Sequence, residues 1–198
     1  MMQVLVREFI APPVNRREIL RYAGVRGEAD PTISALLDAC LAEMAAGLCY
    51  RVCYAEVPVT AVDAQLDLGA FRTKSADLAK CLAGCDKAIL FVATVGPLPD
   101  RMVARYGTVA PTRALLCQAI GAERIEALCD AFSAAAEKEH GAVLRPRFSP
   151  GYGDLSLTVQ GDIFRVLEPA RRIGVSLTDA LLMAPTKSVT AIIGIKKE

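Results

Sequence analysis

The sequence predicts an α+β fold, a mixed and mainly antiparallel twisted sheet packed with helices. Three observations predict it. The run "KAILFVATVG", Lys87 to Gly96, is apolar at both alternating sets of positions, as a strand buried on both faces must be. The stretch from Pro111 to about His140 carries apolar residues at helical spacing. Strands and helices do not alternate strictly along the chain, which disfavours a doubly wound parallel sheet.

The elements follow in chain order. "NRREILRYAG" opens on Asn15 as an N-cap and closes on Gly24 as a stop, so a short helix lies between them. Residues 1–30 are read as an N-terminal helical extension and residues 31–198 as the core of a single domain. From Pro31 the apolar positions Ile33, Leu36, Leu37, Cys40, Leu41 and Met44 recur at steps of three and four, one stripe of an amphipathic helix that Gly47 ends. "LCYRVCYAEVPV" is rich in β-branched and aromatic residues and reads as a strand ending at Pro58. "SADLAKCLAG" repeats the pattern of capping serine, short helix and terminal glycine, and leads into the Lys87–Gly96 strand, which should be central to the sheet.

In the long helix Gly121 marks a kink or break. Beyond it Ile125, Leu128, Cys129 and Phe132 form the buried stripe, which leaves Asp130 on the solvated side near Glu123, Glu126 and Glu137. After "RPRFSPGYGD" a helix runs from about Leu157 to Leu167 and the chain turns through Pro169. "ALLMAP" and "SVTAIIGI" then read as two short strands joined by Pro185 to Lys187.

Composition narrows the function. With 53% hydrophobic and 23% charged residues the chain has the material for a packed core. Its 23 basic and 22 acidic residues leave a net charge of +1, so no long-range field gathers nucleic acid or an anionic membrane. Arg16, Arg17 and Arg21, like Arg171 and Arg172, read as solvated helix faces. The apolar runs fall far short of the ~20 residues of a membrane span, and Arg7 and Glu8 interrupt "MMQVLVREFIAPP" before it could form a signal peptide. A cytoplasmic protein is expected.

Cys49 and Cys53 are four apart, as are Cys81 and Cys85, but zinc knuckles are usually tighter and His140 stands in no ligand spacing with either pair. The seven cysteines are expected to be small buried hydrophobes in a reducing compartment, with no metal bound.

Self-contained catalytic signatures are missing: no phosphate-binding loop, no nucleophile elbow, no zinc-protease helix, and one histidine. A protein of this kind would take part in a reaction by binding and orienting a reactive small molecule. "FSPGYGD", Phe148 to Asp154, admits two readings. It is a surface turn with Tyr152 packed on a neighbouring helix, or a ligand site. For the second, glycine permits close backbone approach, tyrosine supplies a flat apolar face and a hydroxyl, and Arg147 adds a guanidinium fork suited to a carboxylate.

"RFSPGYGD" from Arg147 to Asp154, followed by a helix and "GVSLTDALLMAPTKSVT" from Gly174 to Thr190, resembles the activation domain of cobalamin-dependent methionine synthase, in its short stand-alone form. The likeness is specific over about Arg145 to Gly194. Upstream it rests on "RREILRYAG", on "ATVG" from Ala93 to Gly96, and on the long helix. The resemblance implies S-adenosylmethionine binding, with Arg147 meeting the methionine carboxylate, Ser149 and Gly151 presenting backbone, and Tyr152 lining the pocket. "LCDAF" resembles the family's "LAEAF", which puts Asp130 at the ligand's ammonium group.

The resemblance also implies partners: a methionine synthase that lacks its own activation domain and holds the cobalamin, and a flavodoxin-type electron donor. Together they would return cob(II)alamin to methylcobalamin in methionine biosynthesis. Other readings are an accessory module for another corrinoid methyltransferase, a non-catalytic sensor, or an enzyme with an unrelated substrate. An exposed apolar docking patch near residues 147–154 is expected. The chain departs from the family in three places. It lacks the aromatic after the "SVSG" motif, lacks an acidic "DWTPF" element, and has Gly153 and Asp154 where the large enzymes continue with proline and cysteine.

Overall fold

A computed structural model describes residues 2–62 and 65–196. The first strand lies where the sequence carried no signal for one. β1 (Leu5–Glu8) pairs antiparallel with β2 (Arg51–Pro58), setting Leu5 opposite Tyr54 and Glu8 opposite Arg51. The segment expected as a helical extension therefore supplies the edge of the main sheet. Its residues are mostly exposed, so no alternation of apolar and polar side chains announces it.

α1 (Arg16–Tyr22) follows, and its cap is the predicted one: the Asn15 side chain accepts the Glu18 N–H at 3.2 Å. Ile19 is fully buried among Leu37, Cys40 and Met44 of α2 (Pro31–Ala45), so this part of the chain belongs to the core as well. β3 (Thr60–Val62), β4 (Gln65–Asp67) and β5 (Arg72–Thr73) form a small separate antiparallel sheet. α3 (Ala76–Cys81) is capped by Ser75, whose hydroxyl accepts the Leu78 N–H at 2.9 Å.

β6 (Cys85–Thr94) occupies the interior of the sheet, as its two-sided apolar run predicts, and is buried from Ala88 to Thr94. Phe91 faces Tyr54 of β2 across one ladder and Ala191 of the last strand across the other. α4 (Leu98–Tyr106) and α5 (Pro111–His140) come next. α5 runs through Gly121 without a break. Gly121 is there for space, since a Cβ at that position would lie 2.9 Å from Pro99 Cβ and 2.9 Å from Lys187 Cγ.

α6 (Val159–Leu167) and α7 (Pro169–Ile173) lead to β7 (Ser176–Leu177), β8 (Met183–Ala184) and β9 (Ser188–Lys196). The expected pair of short C-terminal strands resolves differently. β8 pairs with β7, whereas β9 is long and lies along β6. Pro185 cannot donate to a ladder, and beyond it "SVTAIIGI" is buried on both faces, which suits it to the sheet interior and not to a hairpin.

The main sheet runs β1-β2-β6-β9, antiparallel throughout. Alternation divides its side chains between two cores. Ala55, Leu90, Val92 and Ile192 pack with α3, α6 and α7 on one face. Val52, Phe91, Ala93 and Ile193 pack with α5 on the other. Phe132 of α5 sits at the centre of that second core, its ring 5.0 Å from Phe91 and 5.1 Å from Tyr54. α1, α2 and α4 cover the outer side of α5. The two arginine clusters are surface features: Arg21 pairs with Glu18 at 2.7 Å, Arg16 pairs with Asp38, and Arg171 and Arg172 pair with Glu168.

Candidate functional site

The residues after α5 are organised by a sheet edge. Leu144 and Phe148 bridge to Ile195 and Ile192 on the free side of β9. The Arg145 N–H donates to the Gly194 carbonyl at 2.8 Å, and Phe148 and Ile192 exchange two backbone hydrogen bonds at 2.9 Å. This attachment aims Arg147 at α5. Its Nη1 donates to Asp130 Oδ1 at 2.6 Å and its Nη2 to Glu126 Oε2 at 3.0 Å. Burial draws the Arg147 pKa down, but the hydrogen bond to Asp130 and the charges of Asp130 and Glu126 outweigh it, and the net shift is upward. The group is a fixed cation.

Asp130 is 73% exposed and ion-paired, a solvated position as the helical periodicity predicts. Glu123, Glu126 and Asp130 follow one another at three and four residues, one stripe of α5. That stripe lines a cavity of about 660 Å³, together with Glu18 and Tyr22 of α1 and with Pro12 and Pro13 of the segment before it. Ala127, Ala131 and Ala134 form the floor, where small side chains leave the groove open. Glu126 and Asp130 face this space and hold Arg147, which itself lines a neighbouring cavity of about 480 Å³ with Glu137 and Arg145, while Glu18 is paired with Arg21 and Glu123 with Arg124.

The turn that follows Arg147 is held mainly by its own backbone. The Tyr152 N–H donates to the Ser149 carbonyl at 3.1 Å, and the Gly151 N–H to the Leu155 carbonyl at 2.9 Å. Gly151 has φ +86°, a conformation that suits glycine, and a Cβ there would lie 3.2 Å from Leu157 Cδ1. The Ser149 carbonyl and the Gly151 N–H are therefore engaged within the turn. Asp154 fastens the turn to α3 by accepting from the Ser75 hydroxyl, from the Ala76 N–H at 2.7 Å and from the Asp77 N–H at 3.2 Å. A negative charge at a helix start is favourably placed.

Tyr152 stands 72% exposed, its ring edge-on to Phe148 at 6.0 Å. It lines a second cavity of about 530 Å³ with Lys80, Cys81, Arg145, Pro146 and Phe148. The structure thus brings Arg147 and Asp130 into direct contact and holds Ser149, Gly151 and Tyr152 in the adjoining turn, but Asp130 and Tyr152 line different cavities. Leu157 is exposed beside Gly151 and gives the turn an apolar border.

Sequence reasoning placed Glu126 beside Asp130 without giving it a role, and gave none to Pro12, Pro13 or Tyr22. The spacing of Glu126 and Asp130 was the available signal for the first. The others depend on where α1 docks. The cysteines are free thiols: Cys40, Cys53, Cys117 and Cys129 are buried, and burial pushes Cys53, Cys117 and Cys129 up to about 12. Among the described residues no group of three or more histidine, cysteine, aspartate or glutamate side chains could hold a metal ion, and no helix is long and apolar enough to cross a membrane.

A four-stranded antiparallel sheet backed by one long helix, with a glycine-rich turn fastened along its free edge, defines an α+β module. No protein-family model matches the chain and no curated protein matches it. A crystal structure of the MetH reactivation domain bound to AdoHcy superposes with a TM-score of 0.72 at 16% sequence identity, over 98% of this chain and 78% of that one. At that identity the likeness is one of fold: the chain adopts the fold of the MetH reactivation domain, as the residues between Arg145 and Gly194 suggested.

Proposed function

We propose that this protein is a reactivation-type module that binds S-adenosylmethionine in the cytoplasm and presents its methyl group to cobalamin held by another protein. The observation that carries this reading is the contact of Arg147 with Asp130 and Glu126, on a fold shared with a domain seen bound to AdoHcy. An amino-acid head group bears a carboxylate and an ammonium side by side. Arg147 matches the first and the two carboxylates match the second, so a zwitterionic head group would replace the two internal ion pairs of Arg147 with its own, with no net change in charge.

S-adenosylmethionine supplies a methyl group activated by its positive sulfur. Arg147 would bind the carboxylate, Asp130 and Glu126 the ammonium, while Tyr152 and the apolar border around it face the protein that accepts the methyl group. The expected partner is a cobalamin-dependent methionine synthase lacking its own activation domain, with a flavodoxin-type donor supplying the electron.

Isothermal calorimetry with S-adenosylmethionine and S-adenosylhomocysteine tests the reading, and saturable binding is expected. Absence of heat at protein concentrations that would detect micromolar binding refutes it. Affinity capture from native extract then identifies the partner, and recovery of a different corrinoid methyltransferase would redirect the assignment to that system.

A further inference from the structure

Arg124 is 2% exposed and Glu123 beside it 4% exposed, so α5 carries a charge pair inside the protein. Neighbouring residues on a helix point about 100° apart, yet here both side chains converge. Arg124 Nε donates to Glu123 Oε2 and its Nη2 to Glu123 Oε1, each at 2.5 Å. The outer nitrogens reach beyond the helix: Nη1 donates to the Pro12 carbonyl at 2.6 Å and Nη2 to the Pro13 carbonyl at 2.7 Å. Glu123 Oε1 in turn accepts the Asn15 N–H at 3.0 Å.

Two consecutive prolines cannot join a β-ladder through N–H groups, because they have none. Their carbonyls are the handles left, and the arginine fork takes both. Asn15, held by Glu123, is also the cap that starts α1, the helix that carries Glu18 and Tyr22. The pair therefore determines where the wall opposite Asp130 stands. A buried ion pair seldom stabilises a fold more than well-packed apolar residues would, so its value here lies in what it orients.

We propose that Glu123 and Arg124 are positioning residues for the acidic cavity, holding Pro12 to Asn15 at the distance from Glu126 and Asp130 that ligand binding requires. This rests on the reading of that cavity as the S-adenosylmethionine site. Neither residue needs to touch the part of the ligand that reacts.

The test uses the full chain and S-adenosylhomocysteine as the probe, comparing the wild type with Arg124→Met, Arg124→Lys and the double replacement Glu123→Leu/Arg124→Met. The double replacement removes both charges together, so it leaves no buried charge unpaired and guards against simple unfolding. Calorimetry gives affinity, and amide hydrogen exchange compares Ala11, Val14 and Asn15 with β6. Arg124→Met and the double variant should bind at least about tenfold more weakly, equivalent to about 1.4 kcal/mol. Exchange should accelerate at Ala11, Val14 and Asn15 and stay unchanged in β6, and Arg124→Lys should recover part of both effects. Wild-type affinity in the folded double variant, or unchanged exchange in the wall, overturns the proposal. If the wild type itself binds no S-adenosylhomocysteine, the functional reading falls together with it; if the wild type binds and the variants bind equally well, the positioning role alone falls.

Discussion

Arg147→Ala separates a binding arginine from a structural one. Arg147 is 25% exposed, and its partners Glu126 and Asp130 are 48% and 73% exposed. Ion pairs in such surroundings contribute about 0.2–1 kcal/mol each. Removing the guanidinium also leaves two like charges four residues apart on α5, which costs a few tenths of a kcal/mol more. The expected loss of stability is therefore about 1–2 kcal/mol, a fall of a few degrees in Tm for a domain of this size. Binding should suffer more. Loss of one partner in a charge-assisted contact costs about 2–3 kcal/mol at this exposure, equivalent to about 30- to 140-fold in Kd. Calorimetry with S-adenosylhomocysteine and a thermal melt in the same buffer measure the two effects. The reasoning fails if the melt falls by more than about ten degrees while affinity is retained, because Arg147 would then be holding α5 to the sheet edge and not a ligand.

Gly121→Ala should destabilise by about 1–3 kcal/mol, although helix propensity alone favours alanine by about 1 kcal/mol, because the new methyl meets Pro99 and Lys187 at 2.9 Å; a higher Tm would refute the close-packing account. The Ser75 hydroxyl and then the amides of Ala76 and Asp77 hold the Asp154 carboxyl below its ordinary value, against the opposing pull of burial. Its contribution is present above the unfolded pKa of about 3.9 and is lost as pH falls through the lower folded value, so the stability gap between wild type and Asp154→Asn should close in acid; a gap independent of pH would refute the capping role. Brief alkylation of the native protein at pH 8 should label Cys49, Cys81 and Cys85 well before the four buried thiols, and early labelling of Cys129 by mass spectrometry would show that the α5 core opens.

Signals that are local or two-sided were legible in the sequence. Asn15 and Ser75 announce their helices because each cap is completed within three residues, and Lys87–Gly96 announces the middle of the sheet because both its faces are covered. β1 was illegible for the converse reason: an edge strand exposed on most positions needs only a neighbour's free hydrogen bonds, and these lie more than forty residues away in the chain. Gly121 misleads because glycine within a helix reads as a break when nothing shows what lies beside it. Only the resemblance assigned Arg147 and Asp130 to one site, and their direct contact was not foreseen. Periodicity places Asp130 in water, and a solvated groove between α5 and α1 is where it is found.

Helix α5 shows why the rest of the site could not be read. Glu123, Arg124 and Ile125 are all buried, a run that no single amphipathic stripe allows. The sheet covers one side of the helix and α1, α2 and α4 cover another, so charge along α5 no longer marks solvent. Its polar residues divide by depth. Glu123 and Arg124 face inward and fasten the Pro12–Asn15 wall, while Glu126 and Asp130, one turn further on, face the groove and hold Arg147. In a chain with almost balanced charge, a central helix that places carboxylates in both settings fits the proposed ligand at that groove, since neither the buried pair nor the exposed ones gain much for folding.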